Sequence, residues 1–118
     1  TPQGVLRAAC RFTIATGPYA VIVNSQLNIY GGAIAIDGTG NFITITLEHN
    51  VGAECIVQVT PYNATGGNYQ QQFVTYNIDN GGAGGRTRIQ LLSMNSTTGA
   101  AMAAINLMSC MVSVFSMH

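Results

Sequence analysis

The stretch Ala33-Ile34-Ala35-Ile36-Asp37-Gly38-Thr39-Gly40-Asn41-Phe42-Ile43-Thr44-Ile45-Thr46-Leu47-Glu48-His49-Asn50-Val51-Gly52-Ala53-Glu54-Cys55-Ile56-Val57-Gln58-Val59-Thr60-Pro61-Tyr62 reads as three strands joined by two compact turns. Between Phe42 and Glu48 the residues alternate, Ile43, Ile45 and Leu47 to one side and Thr44, Thr46 and Glu48 to the other. A period of two with β-branched residues is the pattern of a half-buried strand. Asp37-Gly38-Thr39-Gly40 before it and His49-Asn50-Val51-Gly52 after it each carry the residues of a tight reversal. In the third strand Cys55, Val57 and Val59 oppose Ile56, Gln58 and Thr60. Connections this short leave no room for a crossover helix, so the segment is expected to be an antiparallel meander.

Working outward, Val5 to Ala15 is a strand with Leu6, Ala8, Cys10, Phe12 and Ile14 on one parity and Arg7 and Arg11 on the other. Gly17-Pro18 ends it, Tyr19 to Ile29 is a second extended run, and Gly31-Gly32 is expected to break the chain again. Beyond Pro61 the segment from Tyr62 to Gln72 is polar and aromatic without apolar periodicity, which predicts a long exposed loop. Phe73 to Ile78 is a short strand, Asp79 to Gly85 a glycine-rich turn or tip, and Arg86 to Asn95 a strand with Ile89 and Leu91 inward. Ala100 to Met108 has good helix formers. The alternation of Ser109 to Phe115 nevertheless favours a closing strand, with Met108, Cys110, Val112 and Val114 on one face and Leu107, Met111 and Phe115 making the other partly apolar. A strand apolar on both faces belongs at the centre of a sheet or at a subunit contact. About eight strands in one domain spanning residues 1 to 118 predict an all-β antiparallel sandwich, with a closed barrel as the alternative.

Composition narrows the function. Charged residues are 7% of the 118, there is no lysine, the formal net charge is zero, and 47% of residues are hydrophobic. A typical domain is about 25% charged. The surface is therefore expected to be covered by Ser, Thr, Asn, Gln and Gly, and in part by copies of the chain or a larger assembly. No apolar run approaches the ~18 residues of a membrane helix, and Thr1-Pro2-Gln3-Gly4 lacks the basic start and apolar core of a signal peptide. Four arginines balanced by four acids form no basic stripe for nucleic acid. Cys10, Cys55 and Cys110 are widely spaced, form no CxxC or Cys/His cluster, and are read as buried thiols of a chain made in a reducing cytoplasm.

Taken in order, Arg7-Ala8-Ala9-Cys10-Arg11-Phe12, Ser25-Gln26-Leu27-Asn28-Ile29, Asp37 to Ile45, Val57-Gln58-Val59-Thr60-Pro61-Tyr62, Arg88-Ile89-Gln90-Leu91 and Val112-Ser113-Val114-Phe115 resemble the C-terminal receptor-binding domain of bacteriophage tail fibres and related virion appendages. In that family an Arg-Ala strand, a short Asn-containing strand, an Asn-Gly-Thr-Gly-Asp-Tyr hairpin, a Tyr-Val-Val strand, an Arg-Ile strand and a closing Val-Val-Phe strand follow one another. Here Asn41-Phe42 replaces Asp-Tyr, Ala53-Glu54-Cys55 stands where a Tyr-containing strand would begin, and the loop Thr65 to Gln72 is this chain's own. The resemblance implies a trimeric β-sandwich on the outside of a virion, packed against other virion proteins or touching a host glycan or surface protein. Three copies are expected to pack through the first and last strands.

The chemical inventory favours binding over catalysis. Glu48 and Glu54 flank one turn, but two acids at strand ends are more simply solvated than a glycosidase pair. Asp37, which with Glu48 and His49 would be the candidate metal group, leads a turn where its ordinary role is local hydrogen bonding. Neither a nucleophile elbow nor a phosphate-binding loop is present, so no catalytic residue, metal ligand or cofactor is assigned. Tyr62, Asn63, Asn68, Tyr69, Gln70, Asp79 and Asn80 combine aromatic faces with amides and a carboxylate, the groups that recognise sugars and adaptable protein surfaces. A receptor-binding tip is thus expected first, a structural capsid decoration or head-fibre module second, and a depolymerase a distant third.

Overall fold

A computed structural model describes residues 4–15, 20–37, 41–52, 54–62, 71–81, 83–95, 97–101 and 109–116. Within them run β1 (Val5–Ala15), β2 (Ala20–Leu27), β3 (Ile29–Ile36), β4 (Phe42–Leu47), β5 (Cys55–Tyr62), β6 (Gln71–Asp79), β7 (Arg88–Asn95) and β8 (Ser109–Ser116), all paired antiparallel. Two four-stranded sheets, ordered β2-β1-β8-β5 and β3-β4-β7-β6, face each other as a sandwich. Among the described residues no closed barrel forms, because each sheet keeps its own pair of edge strands.

Alternation fills the space between the sheets. Ala8, Cys10, Phe12 and Ile14 of β1 meet Ile43, Ile45 and Leu47 of β4, Ile89 and Leu91 of β7, and Cys110, Val112 and Val114 of β8 in one core. Burying side chains of this size contributes about 1.5–3 kcal/mol each before chain entropy is subtracted. The expected closing strand is present from Ser109 and lies centrally between β1 and β5, as its two apolar faces require. The helix-forming residues 102–108 before it, Gly17-Pro18, and Gly38-Thr39-Gly40 lie outside the described residues.

The structure corrects the sequence reading at three points. The meander is the first. Of its three strands only β3 and β4 pair with each other, with Ile36 opposite Ile43 and Ile34 opposite Ile45, whereas β5 pairs with β8 in the other sheet. Both edges of β4 are taken, by β3 and β7, so β5 has no place beside it. The link between them is held across the end of the sandwich: Val51 packs on the core, and its N–H donates to Thr87 Oγ1 at 2.9 Å. Gly52 donates to Asn50 Oδ1 at 2.9 Å and takes φ +81°, which turns the chain toward the first sheet.

The second concerns Leu6, which its parity with Ala8 and Cys10 places in the core and which is exposed. Pairing with β8 shifts register between Leu6 and Ala8, so that Leu6 opposes Phe115 and Ala8 opposes Val114. An inserted residue reverses the facing of everything on one side of it. Third, the break before β3 is at Asn28, at φ 58°, and not at Gly31-Gly32, which lie inside β3. Asn tolerates the left-handed region, and Asn28 Nδ2 fixes the turn by donating to the carbonyl of Arg7 at 2.8 Å. The glycines fall where the β3–β4 register shifts between Ile29 and Ile34, on an edge strand that accommodates them. β1 and β8 are interior strands with both edges paired.

Candidate functional site

Of the seven residues singled out for recognition, Asn63, Asn68, Tyr69 and Gln70 lie outside the described residues. Tyr62 is the last residue of β5, its backbone opposite Ser109 of β8. Asp79 and Asn80 are described, and both are bound into the scaffold. Asp79 Oδ1 accepts the N–H of Gly81 at 2.7 Å, and Oδ2 forms an ion pair with Arg88 directly across the β6–β7 ladder. The Arg88 guanidinium first, and the Gly81 N–H second, hold the Asp79 carboxyl below its ordinary range.

Asn80 belongs to a polar knot that closes one end of the sandwich. Its Oδ1 accepts from Thr87 Oγ1, its carbonyl accepts from Asn50 Nδ2 at 3.2 Å, and Asn50 Nδ2 also reaches the Gly85 carbonyl at 2.9 Å. Backbone bonds from Leu47 to Thr87 and from Glu48 to Asn28 tie in β4 and the β2–β3 turn. The glycine-rich segment after Asn80 makes a tight, non-helical turn at Ala83–Gly85, with Gly84 and Gly85 at φ 72°. The hydrogen-bonding capacity of Asp79 and Asn80 is largely used within the fold.

A cleft of about 310 Å³ opens beside this knot, with Leu47 and Ser116 at its floor and Arg7, His49 and Asn50 at its exposed mouth. Glu48 is half-buried and Glu54 exposed. Among the described residues no three His, Cys, Asp or Glu side chains gather as a metal site. Asp37 has the local role expected of it, its Oδ1 accepting the N–H groups of Asn41 at 2.9 Å and Phe42 at 3.1 Å. Burial pushes the Cys10 and Cys110 thiols up to about 12, the charge of Cys10 adding to the effect on Cys110, and Cys55 is also raised by burial. All three cysteines are thiols, Cys10 and Cys110 buried and Cys55 half-buried.

The two outer faces differ: the partly apolar outer side of β8 follows from its alternation, whereas the aromatic pair on the second sheet has no such signal. On the first sheet Leu6, Phe115 and Ile56 form an apolar row across β1, β8 and β5, and Leu27 and Met111 share the same face with Arg11, Gln58, Thr60 and Ser113. Leu6 is 44%, Met111 45% and Ile56 48% exposed, unusual for large apolar side chains sharing one face. On the second sheet Phe42 of β4 and Tyr76 of β6 meet edge to face with ring centroids 5.1 Å apart and planes at 72°. Tyr30 is separately covered by the Arg86 guanidinium, 3.8 Å from its ring centre. The parity of Phe42 with Thr44 and Thr46 already put it outside, but the ring pairing depends on a bulge in β6 that leaves no local mark in the sequence.

No family model matches the chain, and no curated protein or solved structure is significantly similar to it.

Proposed function

We propose that this chain is a non-catalytic attachment domain of a bacteriophage appendage, a tail-fibre or tail-spike tip that packs as a homotrimer and contacts a receptor on the bacterial surface. The observation that carries the reading is the contrast between the two sheets. One outer face carries the exposed side chains Leu6, Ile56 and Met111 among polar neighbours and suits lasting contact with protein, while the other carries the paired rings of Phe42 and Tyr76 beside the Asn77–Gln90 amide pair and suits recognition. The very low charge of the chain favours the same division, since an apolar face between copies reduces the need for charged solubilising side chains. The order of the motifs along the sequence supports placing it on a virion.

Incubating the purified domain with host bacteria tests the proposal. Saturable binding to cells, with competition against infection, is expected. Binding only to undecorated capsids would replace it with the second reading, a structural decoration or head-fibre protein, which the apolar face of the first sheet also suits.

A further inference from the structure

We infer that the outer face of the second sheet is a binding platform for an uncharged saccharide, centred on Tyr76; this names the receptor class within the attachment reading and rests on it. Opposite β7, Thr75 pairs with Leu91 and Asn77 with Gln90, so Tyr76 is the extra residue of a β-bulge. A bulge of this kind re-aims side chains and recurs beside functional sites. Phe73 and Ile78 point into the core on either side of it, at odd and even positions respectively, which leaves Tyr76 and Asn77 together on the outside. Tyr76 is 60% exposed, the most open of the large apolar side chains among the described residues.

The rings span the sheet. β4 and β6 are separated by β7, roughly 9–10 Å from one another at ordinary strand spacing. Their ring centroids are 5.1 Å apart, so Phe42 and Tyr76 lean toward each other over β7 and raise an aromatic ridge there. Beside the ridge, Asn77 Nδ2 donates to Gln90 Oε1 at 3.3 Å. Among the described residues Asn77 Oδ1 and Gln90 Nε2 have no hydrogen-bond partner, leaving an acceptor and a donor side by side; the Thr44 hydroxyl is next in the same row. Aromatic faces take the C–H patch of a sugar ring, and paired amide groups take its neighbouring hydroxyls. The charges in the adjacent row, Asp79 and Arg88, neutralise each other, so nothing here selects a charged ligand.

The test is titration of the isotopically labelled chain with methyl glycosides of glucose, galactose, mannose and N-acetylglucosamine, with glucuronic acid as the charged control, read by amide NMR. Saturable shifts at Tyr76, Asn77, Gln90 and Thr44 with at least one neutral glycoside are expected. Tyr76→Ala should weaken that binding about tenfold, Tyr76→Phe should retain most of it, and unchanged dispersion elsewhere would show both variants folded. Shifts with none of the neutral glycosides at millimolar concentration, shifts confined to other surfaces, or response to glucuronic acid alone would overturn the inference. Cell attachment that persists in Tyr76→Ala would overturn this platform while leaving the attachment reading intact; neutral-glycoside binding at Tyr76 without cell attachment would do the reverse.

Discussion

The hydroxyl of Thr87, completely buried, donates to Oδ1 of Asn80 at 2.5 Å while accepting the N–H of Val51 at 2.9 Å. One side chain thereby fastens the β6–β7 turn to the link that carries the chain from one sheet to the other. Thr87→Val preserves shape and removes both bonds, leaving the half-buried Val51 N–H and Asn80 Oδ1 without that partner, and is expected to cost about 1–3 kcal/mol. Urea denaturation checks this, and Thr87→Ser, which keeps the hydroxyl, should cost less.

Gly52 supplies the left-handed conformation of that same link, at φ +81°, with open space around its Cα. Substitution there is therefore opposed by backbone strain alone. Gly52→Ala should destabilise by about 1–2 kcal/mol, and Gly52→Asn by less, since Asn tolerates this region. Thermal unfolding of the pair of variants measures the difference.

Cys10 and Cys110 lie on the core faces of β1 and β8, their thiols pushed up to about 12. Native protein should react with a thiol reagent first at Cys55, with the other two protected until unfolding. The unfolded chain ionises near pH 8.5, well before these folded thiols do. Their contribution to stability is therefore complete below that pH and is lost as pH rises toward about 12. Cys10→Ala combined with Cys110→Val should flatten the alkaline slope of stability, whatever the cavity costs at neutral pH.

Asp79 gives the opposite slope. Its carboxyl is held low by Arg88, so the pair stabilises above the ordinary carboxyl value of about 3.9 and loses that contribution as pH falls further. Because both side chains are partly exposed, the effect is small and weakens with salt. Asp79→Asn should reduce the acid dependence of the urea midpoint, most visibly at low ionic strength.

The apolar row Leu6, Phe115 and Ile56 makes the proposed homotrimer testable at one position. Ile56→Glu should shift light scattering from a trimer to a monomer while the circular dichroism of the strands is unchanged, because Ile56 points away from the core. A wild-type chain that is monomeric across a wide concentration range would refute trimer formation.

Strand identity was written in local alternation: Ile43, Ile45 and Leu47 against Thr44 and Thr46, or Cys110, Val112 and Val114 against Met111 and Ser113, need no tertiary information to be read. The sandwich class and the central position of β8 follow from the same pattern. Partnership did not follow, since whether β5 lies beside β4 or β8 depends on β7, more than forty positions along the chain from β4, occupying the second edge of β4. Facing was lost wherever a residue is inserted: the shift after Leu6 turned an expected core residue outward, and the bulge at Tyr76 brought an unremarked tyrosine onto the face with Phe42. The sequence by itself determined which residues form strands and which sides are apolar, because that information has a period of two residues. Only the tertiary structure decided which strands pair, which polar side chains are used up in closing the sandwich, and which rings stand together on its surface, because these depend on contacts between residues far apart in the chain.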